Sequence, residues 1–303
     1  MSNQAESVLV GLIGEGVMPS LTPPMHEREA DVQGLRLLYR PIDLLELQLP
    51  AAAVGDLLTA AQRMGFNGLN ITHPCKQLVL EHLDEISDDA ARLGAVNTVL
   101  IRDGRLIGHN TDFSGFGSAL ADGLPEAQLD RVVQLGAGGA GSAVAYALLK
   151  AGVSTLDLVD MDPARAAERA AELGELFPAA TVTPRSTDEL PQIMPLADGL
   201  VHCTPIGMAA HPGLPLDMEL LEPRHWVADI VYRPIETRLV REARAKGCDV
   251  LDGGRMAVGQ AADAFQLITG READRERMRA HFLELIAVED AQAAAPELTK
   301  AGH

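Results

Sequence analysis

Short apolar runs alternate with segments of helical spacing along most of the 303-residue chain. VLVGLIG (8–14), LRLLYRPIDL (35–44) and FNGLNIT (66–72) read as strands that are largely aliphatic, as expected where a sheet is covered on its faces. Between the second and third, residues 51–64 set Val54, Leu57, Leu58 and Ala61 at helical spacing. A second block starts after NTDFSGFG (110–117). Residues 130–152 predict a strand, a glycine-rich turn and a helix with Ala143, Val144, Ala147, Leu148 and Ala151 on one face, capped by Gly152. TLDLVDMD (155–162), GLVHCTP (199–205) and WVADIVY (226–232) add three strands, Pro163 is placed to open a helix, and 255–286 reads as helical. This rhythm predicts an α/β protein built on parallel sheets.

The pattern divides the chain into an N-terminal α/β unit with a mostly parallel sheet (1–113) and a Rossmann-type unit (114–254). Helices from 255–290 are expected to cross back and complete the first unit, with an Ala-rich tail at 291–303. The active site then falls in the cleft between the two. With 47% apolar but only 3% aromatic residues, the core has to be aliphatic. A net charge of −18 argues against nucleic acid or an anionic membrane as the main partner, because a phosphate surface needs a basic face. Cys75, Cys203 and Cys248 form no CxxC pair, so neither a disulfide framework nor a zinc site is expected, and a reducing compartment fits. The first residues have no basic segment, and their apolar run is too short for a signal or a span. A cytoplasmic protein is the expectation.

Gly136, Gly138 and Gly141 give G-x-G-x-x-G between a strand and a helix, the context that makes this motif informative. The first glycine permits the tight turn, the second lets backbone approach a pyrophosphate, and the third lets helix pack on strand. Residues 136–141 (Gly136, Ala137, Gly138, Gly139, Ala140, Gly141) thus form a candidate dinucleotide turn at a helix N-terminus. Asp160 ends the next strand, close to the ~20-residue spacing expected for a ribose-binding acid. Its charge would repel a 2′-phosphate, which favours NAD over NADP. Arg165 complicates this: it can accommodate that phosphate, stack on adenine or pair with Asp160.

Small polar clusters sit where strands of the first unit should end. Ser20 and Thr22 lie in SLTPPMH, Asn70, Thr72 and Lys76 in NITHPCK, Asn97 in GAVNT, and Asp112 in GHNTD. In an open α/β sheet the carboxyl ends of the strands form the ligand crevice. Hydroxyls, carboxamides, one lysine and one carboxylate suit a small polyhydroxylated carboxylate. Singly, each cluster also reads as an ordinary turn or helix cap.

Together with GAGGAG and LDGGRMAVGQAADAF (251–265), these motifs resemble the shikimate/quinate dehydrogenases over nearly the whole chain. The resemblance implies reversible hydride transfer between a nicotinamide and a ring hydroxyl of a cyclic carboxylate. It implies Lys76 and Asp112 as the catalytic pair, and Ser20 and Thr22 as holders of the substrate carboxylate. Asn70, Thr72, Asn97, Tyr232 and Gln260 would line the substrate, with Gly253 near the nicotinamide and Cys203, Thr204 and Val231 beside the cofactor. The expected ligands are a cyclic hydroxy-carboxylate and NAD, with a homodimer left open.

Four details bear on specificity. Thr22, Asp160 and YRPIET (232–237) are similar to the NAD-dependent quinate/shikimate branch. Cys75 stands where relatives usually carry an aromatic, so extra space beside Lys76 is one expectation and simple repacking another. An aminoshikimate-type or NADP-preferring relative is the nearest alternative, and a non-catalytic NAD-sensing regulator is an alternative of another class. His73 reads as a loop histidine. His202 and Cys203 are adjacent, which is poor geometry for metal ligation, and no metal is expected.

Overall fold

A computed structural model describes residues 7–294. The first sheet contains β1 (Ser7–Gly14), β2 (Arg36–Asp43), β3 (Gly68–Ile71), β4 (Glu85–Ile86), β5 (Thr98–Arg102) and β6 (Arg105–His109). Their order is β2-β1-β3-β5-β6-β4. β2, β1 and β3 run parallel, whereas β5 is antiparallel to both β3 and β6. Asp103 and Gly104, both left-handed at φ 50° and 76°, close the β5–β6 hairpin.

The second sheet is wholly parallel: β7 (Arg131–Leu135), β8 (Thr155–Val159), β9 (Thr181–Arg185), β10 (Gly199–His202), β11 (Trp226–Asp229) and β12 (Asp249–Leu251). The order β12-β11-β10-β7-β8-β9 reverses direction between β7 and β10, the switch point where a doubly wound sheet opens a crevice.

Several strands stop earlier than their apolar runs. The run 226–232 ends as a strand at Asp229, whose carboxylate takes the Val231 N–H and the Thr237 hydroxyl and so turns the chain out of the sheet. The run 155–162 ends at Val159, because Asp160 and Asp162 bind the amides that follow them. Helix Gly139–Lys150 is buried over residues 141–149 instead of along one stripe, since it lies between the sheet and helix Asp112–Gly123.

The segment 255–286 is two helices, Gly253–Thr269 and Arg275–Ala294, separated after Gly270 takes the left-handed cap. Both return to the first sheet. Val258, Ala261, Phe265, Met278 and Phe282 share one core with Val10, Leu12, Leu37 and Tyr39. The buried carboxylate of Glu29 pairs with Arg277 and fastens the last helix to helix Thr22–Val32. That last helix reaches Ala294, so the start of the expected tail is helical and the rest of 291–303 lies outside the described residues. Helices Asp112–Gly123 and Gly253–Thr269 cross at Gly115 and Gly259, where a Cβ on Gly259 would stand 2.6 Å from the Gly115 carbonyl oxygen.

Candidate active site

The carboxyl ends of β1 and β3 face the switch point of the second sheet across a cavity of about 420 Å³. Ser20, Thr22, Asn70, Thr72, Asn97, Tyr232 and Gln260 all line it, together with Lys76, Asp112, Ala140 and Gly253. The chain brings these residues together from seven separate motifs.

Lys76 lies on the single turn Cys75–Leu78, and Asp112 opens helix Asp112–Gly123. The lysine Nζ is 2.6 Å from Asp112 Oδ2, while Asn97 Nδ2 donates to Asp112 Oδ1 at 2.9 Å. Three favourable influences meet on this carboxylate: an ammonium, an amide and a helix N-terminus. The Asp112 amide donates to Asn110 Oδ1 at 3.0 Å, which fixes the entry of the helix. Ser20 Oγ accepts from the Thr22 amide, so the two hydroxyl residues are set by one tight turn.

Cys75 does not open space beside Lys76. It is fully buried, packs with Ile13, Leu44 and Val79, and places its Sγ 3.7 Å from the Ala51 carbonyl oxygen. Burial pushes its thiol pKa up. Consecutive side chains here diverge, the lysine into the crevice and the cysteine into the core.

On the cofactor side, Gly136 has φ 98°, and a Cβ there would lie 2.7 Å from the Cys203 carbonyl oxygen. Gln134, buried on β7, donates through Nε2 to the carbonyls of Gly136 and Gly141 at 2.9 and 2.8 Å. Side chains built at Gly138 or Gly139 would meet nothing within 4 Å, so the turn leaves open room in front of a helix N-terminus. That cradle fits a dinucleotide pyrophosphate. Gln134 could have been singled out as a polar residue inside an apolar strand just before the turn.

Asp160 is occupied more fully than its position in the sequence indicates. Oδ2 accepts from Ala137 N at 2.8 Å and Arg165 Nε at 3.1 Å, and Oδ1 from Asp162 N at 2.9 Å and Arg165 Nη2 at 2.6 Å. Burial pushes the carboxyl up, but these bonds outweigh it and hold its pKa below the ordinary value. Arg165 therefore pairs with Asp160. His202, at the end of β10, is buried between Asp229 Oδ1 (2.9 Å) and Thr204 Oγ1 (2.5 Å), which pins the loop carrying Cys203 and Thr204. Burial, and then the charge of Asp229, raise the Cys203 thiol pKa well above the ordinary value. A Cβ on Gly253 would stand 2.4 Å from the Val231 carbonyl oxygen. Among the described residues, no group of three or more His, Cys, Asp or Glu is placed to hold a metal, and no helix is long and apolar enough to cross a membrane. Glu15, Arg233 and Met256 also line the cavity without having been singled out.

Residues 12–99 match the family model for the shikimate dehydrogenase substrate binding domain, and 254–281 that for the shikimate 5′-dehydrogenase C-terminal domain. A shikimate dehydrogenase (NADP(+)) of Arthrobacter sp. (strain FB24) is 79% identical over 97% of this chain and 100% of its own. The chain belongs to the shikimate dehydrogenase family. A second member of the family, the quinate/shikimate dehydrogenase (NAD(+)) of Corynebacterium efficiens, is 52% identical over 92% of this chain and 99% of its own. Among solved structures, a quinate dehydrogenase from Corynebacterium glutamicum in complex with NAD superposes with a TM-score of 0.88 at 50% identity, covering 92% of this chain and 99% of that one. The family fold, two α/β layers facing one crevice, is the fold described above, and it makes the chain an oxidoreductase of the shikimate/quinate dehydrogenase type with a nicotinamide dinucleotide as cofactor.

Proposed function

We propose that the chain is an NAD-preferring dehydrogenase that interconverts quinate with 3-dehydroquinate and shikimate with 3-dehydroshikimate. The observation that carries this is the 2.6 Å Lys76–Asp112 pair inside a cavity ringed by hydroxyl and carboxamide side chains. A bound nicotinamide dinucleotide supplies or receives the hydride. Lys76 Nζ, positioned by Asp112, takes the ring hydroxyl proton as a neutral amine during oxidation and becomes the ammonium, and as the ammonium it returns that proton to the carbonyl oxygen during reduction. Ser20 and Thr22 hold the substrate carboxylate, and Asn70, Thr72, Asn97, Tyr232 and Gln260 contact the ring hydroxyls.

In this reading, the first sheet with its two returning helices binds substrate and the second sheet binds cofactor. Residues Gly136 to Gly141 cradle the pyrophosphate, Asp160 and Arg165 meet the adenosine ribose, and Cys203, Thr204, Val231 and Gly253 flank the nicotinamide. The NAD preference rests on Asp160, whose charge opposes a 2′-phosphate and whose two bonds to Arg165 keep that cation engaged. Likeness to the NAD-bound quinate dehydrogenase of Corynebacterium glutamicum supports it. An NADP preference is the second reading, favoured by the name of the Arthrobacter relative and by the half-exposed Arg165 guanidinium. Steady-state rates for quinate, shikimate and aminoshikimate, each with NAD and NADP, test the proposal. Higher kcat/KM with NADP for every substrate overturns the cofactor assignment, and no turnover with any pair overturns the function.

A further inference from the structure

The hydrogen bonds around Asp112 continue well beyond the crevice, and backbone groups fix the direction of each. Asn70 Nδ2 lies 3.3 Å from the Asn97 carbonyl oxygen, which can only accept, and 3.0 Å from Thr98 Oγ1. Asn70 Oδ1 therefore faces Tyr39 Oη at 2.5 Å, and the tyrosine must donate. Burial raises the Tyr39 pKa far above its ordinary value, so the phenol keeps its proton. Asn97 Oδ1 faces the Thr111 amide at 2.7 Å, which can only donate. Thr98, already accepting from Asn70, thus sends its own proton to Asn97 Oδ1 at 3.0 Å. Asn97 Nδ2 is left to donate to Asp112 Oδ1 at 2.9 Å.

From Tyr39 on β2 through Asn70, Thr98 and Asn97, every side-chain dipole points toward the Asp112 carboxylate, whose other oxygen holds Lys76. Tyr39, Asn70, Asn97 and Thr98 are each at most 6% exposed, so water does not substitute for these bonds. Chains of aligned hydrogen bonds in a low-dielectric interior strengthen one another.

We propose that Tyr39 and Thr98 are positioning residues that orient Asp112, and through it Lys76, by this one-way chain. The inference rests on the catalytic reading of Lys76 and Asp112 above, and it assigns a role to two residues that no substrate can reach. It also recasts Asn97. Both of its amide hydrogens and its carbonyl oxygen are already engaged by Thr98, Thr111 and Asp112, so contact with substrate requires giving up one of those bonds.

The test compares Thr98→Val, Thr98→Ser and Tyr39→Phe with the unaltered enzyme. Thr98→Val keeps shape but breaks the chain, and kcat is expected to fall about tenfold, the scale of one buried hydrogen bond, with cofactor KM unchanged. Thr98→Ser restores the hydroxyl and is expected to recover kcat to within about threefold, which a purely steric role for Thr98 would not require. Tyr39→Phe removes the first donor of the chain and is expected to lower kcat in the same direction but less than Thr98→Val, with cofactor KM unchanged; an effect on substrate KM alone would take Tyr39 out of the chain. A thermal-unfolding double-mutant cycle of Thr98→Val with Asp112→Asn reads the coupling without any need for turnover. Linkage through Asn97 predicts non-additivity, whereas residues that share no network add. Additive unfolding, or a Thr98→Val enzyme with kcat within twofold of the parent, overturns the proposal. An inactive parent enzyme with a coupled cycle overturns the catalytic reading and leaves the chain standing.

Discussion

Asp160 and Arg165 form a two-point ion pair at the end of β8, with Nε to Oδ2 at 3.1 Å and Nη2 to Oδ1 at 2.6 Å. The same carboxylate accepts the Ala137 amide of the glycine-rich turn, so the shape of the turn and the charge of the proposed ribose pocket depend on one side chain. Asp160→Asn keeps an acceptor for Ala137 but removes the charge and loosens Arg165. The NAD/NADP ratio of kcat/KM should fall by about tenfold or more, since that takes only about 1.4 kcal/mol of differential binding. Parallel kinetics with the two cofactors check this, and an unchanged ratio removes Asp160 from cofactor selection.

Lys76→Met should leave the fold and NAD binding intact while turnover drops by roughly 10² to 10⁴, the usual contribution of a positioned proton-transfer group. Protein fluorescence titration with NAD and stopped-flow turnover measure the two separately. Near-normal turnover would exclude Lys76 as the proton carrier.

Cys75→Ala bears on the proposed substrate range. Because the thiol is buried against Ala51 and Val79, its removal should cost about 1 kcal/mol of stability through lost packing and leave the quinate/shikimate ratio within about twofold. A shift of that ratio by tenfold would return Cys75 to the specificity determinants.

His26 makes stability depend on pH. Its ring is fully buried, and burial lowers its pKa to about 3 against a smaller upward pull from the Ala261 backbone. Unfolding restores a pKa near 6.5, so between pH 6.5 and 3 the unfolded chain binds the extra proton and stability is lost as the pH falls. At about pH 5 this one residue should cost roughly 2 kcal/mol. His109, His225 and His281 are lowered mainly by burial as well and add with the same sign. The melting temperature of His26→Leu should therefore fall less than that of the parent between pH 7.5 and pH 5. Equal falls would show that His26 is not the group that titrates.

Much of this arrangement is legible in the residues themselves. The parallel strands announce themselves as aliphatic runs, and the glycine turn and the polar strand ends mark the crevice because such residues are out of place in a buried sheet. The β5–β6 hairpin was also readable, from Asp103–Gly104 between two short runs, but it breaks the parallel rhythm and is easily passed over. Other features depend on long-range partners. Strand ends at Asp229 and Val159 are set by which amides a carboxylate captures, and nothing local distinguishes Asp229 from any other acid. Tyr39 and Thr98 look like ordinary strand residues, and only the pairing of β5 with β3 brings Thr98 beside Asn70. Cys75 misleads for a related reason: its neighbour in sequence is Lys76, but its neighbours in space are Ala51 and Leu44.

The contact of Gly115 with Gly259 lies where the chain leaves the first sheet and where it returns. Two helices touch here backbone to backbone, so a side chain at either glycine would wedge them apart. Asp112 is within one helical turn of the contact and Gln260 is next to it. Two residues without side chains thereby fix how closely the two linking helices, and the crevice residues they carry, can approach one another.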